Sequence, residues 1–294
     1  EPVSLKRLWA DYVQMRKQAG SMRDGGKRQA SVIENLRKFV QHDDAARLTR
    51  KDIMAWRDHL RGSLAARTIS DVHLSTVRSL LNWAVENEKL PENVAANVKQ
   101  PKMRKNYGRE RGYTDAEAVK ILKLSRSYKP CADELGRVRE IPQLSAAKQW
   151  VPIICAFTGA RVTEITQMRK EDCREVDGQW VARITPDAGT IKAGGYRDVP
   201  LHPQIIAEGF AKFVQNANPG PLFHNGTAHH NFEGKAKRYS NRLAQWLSKS
   251  GVKPEGLQPN HAWRHRFKSQ CIELGISPRV YDAIQGYAGK TASD

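Results

Sequence analysis

Residues 158–165 read Thr158-Gly159-Ala160-Arg161-Val162-Thr163-Glu164-Ile165. Before them, residues 143–158 form a mostly apolar stretch with helical periodicity. After them, residues 161–170 predict another helix. Gly159 suits a tight turn between the two, because it tolerates backbone angles that other residues avoid. That turn sets Arg161 at the start of a helix, where a guanidinium adds a forked donor to the positive end of the helix dipole. An anion such as phosphate fits there. Glu164 follows one turn on and is placed to orient Arg161. Taken alone, the same two residues also fit an ordinary surface ion pair.

Moving downstream, Trp180–Ile184 and Tyr196–Leu201 predict short strands, with a turn around Gly194-Gly195. Lys192 falls at the tip of that hairpin, within Thr190-Ile191-Lys192-Ala193-Gly194-Gly195. A lysine there reaches a groove and donates a proton to a leaving oxygen, or is simply solvated. Helices are expected at 203–215, 232–250, 262–274 and 278–286. The third opens near Asn260-His261-Ala262-Trp263-Arg264-His265. His261 and Arg264 lie three residues apart, so they share a helical face and can meet one phosphate. A helix-capping His261 and a His261/His265 metal pair are the alternatives; the sequence offers no third ligand in a clear motif.

Upstream, residues 1–105 read as helices throughout. Leu5, Leu8, Trp9, Tyr12 and Val13 fall on one face, as do Val32, Ile33, Leu36, Phe39 and Val40. Thr49 is placed to cap a helix carrying Ile53, Trp56 and Leu60. A long segment from Leu64 to Glu88 aligns Ile69, Val72, Thr76, Leu80 and Ala84. Four or five helices in a bundle are expected. Residues 91–112 read as a polar, basic linker that opens at Pro91. Thr114 and Glu117 then form a capping box that opens a new domain. The domains expected are 1–105 and 106–294. The fold class is mainly α with a small antiparallel β-sheet, a helical bundle followed by an α+β domain.

The 294 residues carry 49 basic and 31 acidic side chains, a formal charge of +18. Of these, 21 basic and 12 acidic residues lie in the first 105, so the positive charge is denser there. Such a surface suits a polyanion, since Lys and Arg that neutralise phosphates release counterions. The four cysteines, Cys131, Cys155, Cys173 and Cys271, have no C-x-x-C spacing. Buried reduced thiols in the cytoplasm are expected, with no disulfide framework, zinc site or other cofactor. No apolar run is long enough for a membrane span. The chain does not begin with Met, which is compatible with a piece of a longer protein. Gly289-Lys290-Thr291 is not the end of a phosphate-binding loop, because Ile284 stands where that motif needs glycine.

The order T-G-x-R-x-x-E, hairpin lysine, H-x-x-R resembles the tyrosine recombinase, or phage integrase, family, and the resemblance spans the whole chain. It implies a helical core-binding domain followed by a DNA breaking-rejoining catalytic domain. It assigns Arg161 and Arg264 to the phosphate, Glu164 to the support of Arg161, Lys192 to protonation of the leaving 5′-oxygen, and His261 to proton transfer or a further hydrogen bond. It also implies a 3′-phosphotyrosine intermediate, double-stranded DNA with attachment-type sites as partner, and a tetramer on paired DNA from a protein that is monomeric in solution. Two departures stand out. Gln285-Gly286-Tyr287-Ala288 replaces the family's usual L-G-H, so Tyr287 takes the His/Trp position as a supporting residue. The nucleophilic tyrosine is then expected just beyond Asp294, which makes this piece competent to bind DNA but not to cleave it. A type IB topoisomerase, a non-catalytic DNA-binding relative and an RNA-binding protein are the competing readings.

Overall fold

The computed structural model of the protein describes residues 2–22, 25–101, 108–189, 191, 195–227 and 232–287. The chain divides into two units, Glu1–Asn106 and Tyr107–Asp294.

The first unit is built from α1 (Leu5–Gln18), α2 (Lys27–Val40), α3 (Arg50–Leu60) and a long rod. The rod runs from α4 (Ala66–Thr68) through a π-helical stretch, Ile69–Leu74, into α5 (Ser75–Glu86). The caps are local. Ser4 accepts from the Arg7 N–H at 3.1 Å, and Thr49 forms a reciprocal capping box with Asp52. The apolar faces read from the sequence converge on one core around Leu5, Leu36, Ile53, Trp56 and Leu80. The indole N–H of Trp56 is satisfied by Asn35 Oδ1 at 2.7 Å. The π stretch widens the stripe expected along the rod. Its wider turn adds Leu74 and Val77 to the core, while Ile69, Thr76, Leu80 and Ala84 are buried as expected and Val72 is partly buried against the same core. The linker also begins later than expected. Ala95 and Val98 are buried in this core, so apolar side chains within the polar run hold the chain against the bundle.

The second unit opens with α6 (Asp115–Arg126), capped by the Thr114–Glu117 box. Next comes α7 (Pro142–Thr158), the central helix of this core. Pro152 inside α7 has no N–H to give the Lys148 carbonyl. The buried hydroxyl of Ser125 on α6 donates to that carbonyl instead, at 2.5 Å. The helix defect thus becomes a docking bond between α6 and α7. Lys148 itself is buried against Glu140 and donates to the Tyr128 hydroxyl at 2.7 Å.

Several expectations need correction here. The helix after Gly159 is only α8 (Val162–Thr166), because the chain turns out through Gln167 and a 3-10 turn at Lys170–Asp172. The sheet has three antiparallel strands in the order β1 (Cys173–Val176), β2 (Gln179–Ile184), β3 (Arg197–Pro200). β1 is short and largely exposed, so it left no alternating pattern in the sequence. β2 and β3 pair as expected, Ala182 opposite Val199, but a 3-10 turn at Pro186–Ala188 lies in their connection. The single helix expected over 203–215 is two, α9 (Pro203–Ala207) and α10 (Phe210–Asn216). Gly209 at φ 94° breaks it. Then follow α11 (Phe232–Lys249), α12 (Pro259–Glu273) and α13 (Pro278–Gln285). α12 starts earlier than expected because Pro259 opens its first turn. Cys155, Cys173 and Cys271 are buried, whereas Cys131 is exposed. No helix among the described residues is long and apolar enough to cross a membrane.

His224 gives this unit a pH response. Its Nδ1 accepts from the Gly226 N–H at 3.0 Å, which leaves the proton on a buried Nε2 with no partner among the described residues. Burial, with help from the Lys235 charge, pushes its pKa down to about 4 from 6.5. The unfolded chain therefore takes up this proton first. Stability is full above about pH 6.5 and falls as pH drops toward 4, by roughly 2–3 kcal/mol. Urea unfolding across this range should show that slope in the parent and lose it in His224→Gln. An equal slope in both proteins removes His224 as its source.

A buried two-arginine candidate site

The candidate site lies where α7, α8, β3, α12 and α13 approach one another. Gly159 closes α7 in the left-handed region at φ 57°, its N–H bonded to the Cys155 carbonyl at 2.9 Å. The chain then reverses into α8, with Arg161 at its N-cap. Glu164 reaches back to Arg161 twice. Its Oε2 accepts the Arg161 backbone N–H at 3.0 Å, and its Oε1 accepts Arg161 Nη1 at 2.9 Å. The carboxylate is almost wholly buried, its side chain 1% exposed. Burial alone would raise its pKa. The hydrogen bond and charge of Arg197, with the two bonds from Arg161, outweigh that and hold it below the usual carboxylate range.

Arg264 enters from the second turn of α12 and is buried. Nη1 donates to the Gly159 carbonyl at 2.8 Å and to the Gln285 carbonyl at 2.7 Å. Nε donates to the Tyr287 hydroxyl at 3.3 Å, and the guanidinium lies over the Tyr287 ring, 4.2 Å from its centroid. Nη2 is buried with no hydrogen-bond partner among the described residues. A buried cationic donor left in this way costs about 1–3 kcal/mol. Burial, together with the like charge of Arg161, lowers the pKa of Arg264. An anion taking up Nη2 relieves both the unmet bond and the repulsion.

Of the residues expected at the site, the structure brings together Arg161, Glu164, Arg264 and Tyr287. His261 stands exposed on the first turn of α12, one turn before Arg264. The two share a side of the helix but differ in depth. Lys192 and Ala288 lie outside the described residues. Among the described residues, no group of three or more His, Cys, Asp or Glu is placed to hold a metal ion.

Two residues with no role in the sequence reading belong to the site. Arg197 donates to Glu164 Oε2 at 2.6 Å and to the Ile284 carbonyl at 3.0 Å. Gln285, fully buried, returns the contact from Arg264 by donating Nε2 to the Arg264 carbonyl at 2.8 Å. Arg197 left one signal. On a strand it points the same way as Val199, so an inward-facing charge called for a buried carboxylate. Gln285 left none, because its role depends on where α13 docks.

The electrostatic sum favours phosphate. Glu164 offsets one of the three charges on Arg161, Arg197 and Arg264, and the unmet donor belongs to a forked guanidinium suited to phosphate oxygens.

No protein-family model matches the chain, and no curated protein matches it. Solved structures do. A lambda integrase dimer bound to a core site aligns over 99% of this chain and 76% of its own, at 19% identity and a TM-score of 0.67. A lambda integrase tetramer bound to a Holliday junction covers 99% and 80%, at 19% and 0.66. The Tn1549 transposon integrase in complex with transposon right end DNA covers 99% and 96%, at 15% and 0.68. At such identities the likeness establishes the fold: this chain has the architecture of the integrases, helical with a small antiparallel sheet.

Proposed function

We propose that the protein is a site-specific DNA strand transferase of the tyrosine recombinase type. The observation that carries this reading is the buried Arg264, with one donor unmet among the described residues, close enough to Arg161 for their like charges to interact. In this reading residues 1–105 are the core-binding domain and residues 106–294 the catalytic domain. The two clamp double-stranded DNA at attachment-type sites, a monomer in solution becoming a tetramer on paired sites, in the bacterial cytoplasm. The integrases of the same fold solved in complex with DNA, one of them as a tetramer, support that partner.

The chemistry follows from the charges. A tyrosine oxygen attacks the phosphorus and the bond to the 5′-oxygen breaks. The products are a 3′-phosphotyrosine, which keeps the bond energy for rejoining, and a free 5′-hydroxyl. Arg161 and Arg264 neutralise the non-bridging oxygens as charge builds on them. His261 takes part in proton transfer and Lys192 protonates the departing 5′-oxygen. Tyr287 holds Arg264 rather than attacking, and we place the nucleophile beyond it in the sequence.

Duplexes selected from a random pool by this chain give its preferred site, and binding there should weaken steeply with salt. A nicked suicide duplex of that site should then be bound without forming a covalent adduct. Equal affinity for RNA and duplex DNA overturns the DNA reading. A covalent adduct lost in Tyr287→Phe makes Tyr287 the nucleophile instead.

A further inference from the structure

Arg197 occupies a place that the proposed chemistry does not use. It is the first residue of β3, and its side chain is 13% exposed. One end of its guanidinium holds Glu164 Oε2 at 2.6 Å, on the carboxylate that fixes both the backbone and the side chain of Arg161. The other end holds the Ile284 carbonyl at 3.0 Å. Ile284 directly precedes Gln285, whose carbonyl holds Arg264, and lies three residues before Tyr287, whose hydroxyl caps Arg264. Gly286 turns at φ 69°. A Cβ there would stand 2.6 Å from the Arg197 Cζ, so the backbone passes directly against this guanidinium.

We propose that Arg197 is a positioning residue that sets the spacing between the two phosphate-binding guanidiniums, Arg161 and Arg264. Each arginine has its own local holder, Glu164 for one and the backbone of α13 for the other. Arg197 bonds both holders at once. A flat fork with donors on two edges spans them; an ammonium is a single point and holds one. In sequence, β3 is also the strand that follows Lys192. The bond therefore ties the register of the strand leaving that segment to the phosphate site.

This inference rests on the phosphate-site reading above, and one experiment separates the two. The arginine Nε–H signals of the isotopically labelled chain are followed while inorganic sulfate, a tetrahedral anion that does not titrate near neutral pH, is added. In the parent, the Arg161 and Arg264 signals should move along one shared binding curve. In Arg197→Met the curves should part. The apparent Kd at Arg161 should rise about tenfold, the loss of one charge-assisted bond at an anion site, while Arg264, still held by Gly159, Gln285 and Tyr287, changes less. Arg197→Lys, which keeps the charge and one of the two bonds, should fall between and covers the case in which Arg197→Met fails to fold. A purely structural role predicts equal weakening at both arginines together with lower stability. That pattern, or a shared parental curve in either folded variant, overturns the inference. If sulfate moves neither signal in the parent, the phosphate-site reading fails and this inference falls with it.

Discussion

An Arg161→Ala protein is expected to keep its grip on duplex DNA within a few-fold and to lose strand cleavage by about a thousandfold or more, the cost of removing a positioned donor from the developing charge. The separation is possible because of what remains in place. Glu164 keeps the 2.6 Å bond from Arg197 and the backbone bond from residue 161, so its buried charge is still paired. Arg161 itself is partly exposed and ends in one ion pair. The fold should lose no more than about 1 kcal/mol, the usual scale of a hydrogen bond to stability. The measurements, made on a longer gene product that carries the nucleophile proposed beyond Tyr287, are cleavage of a suicide duplex and affinity at one fixed salt concentration. Cleavage retained near the parental rate removes Arg161 from the chemistry. Affinity lost in parallel with cleavage makes it a general DNA contact. Arg264 is a poorer choice for this test, since its removal also strips partners from two buried carbonyls.

The largest effect on stability is expected at Gly159. An alanine there must sit at φ 57° with its Cβ 2.6 Å from the Phe267 ring and closer still to the Gln285 amide. The left-handed backbone costs about 1–2 kcal/mol and overpacking a close-fitted core about 1–3 more. A loss of roughly 2–5 kcal/mol in urea unfolding follows. The Gly159 carbonyl also holds Arg264, so the damage should reach the site as well as the fold. A Gly159→Ala protein as stable as the parent means that α12 and α13 do not pack on this turn.

Much of this arrangement was legible in the sequence, for identifiable reasons. The N-cap at Thr49 and the capping box at Thr114 are local chemistry, and both formed where the sequence placed them, Thr49 adding a box with Asp52. The apolar stripes of α1, α2 and α3 follow a simple helical repeat. Along Ile69–Leu74 a π turn that no local residue announces interrupts the repeat, yet Ile69, Thr76, Leu80 and Ala84 still fall in the core. Arg161 and Glu164 were readable as a pair because they are three residues apart. Arg264 was readable as a candidate, but its depth was not. Its burial comes from α7 and α13, more than a hundred residues before it and about twenty after. Arg197 was hidden by the same kind of distance, since its partners Glu164 and Ile284 lie in other elements.

The cradle around Arg264 has a consequence for how such a protein ages. Two of the bonds that fix the guanidinium end on main-chain oxygens, of Gly159 and Gln285. A carbonyl oxygen is the same in every residue, so those bonds ask nothing of the side chains that line the pocket beyond letting the backbone keep its course. Most positions nearby are therefore free to drift over generations while the same charge stays in the same place. A lineage built this way can replace most of its residues and keep its architecture, as expected where the fold is shared at identities of 15–19%.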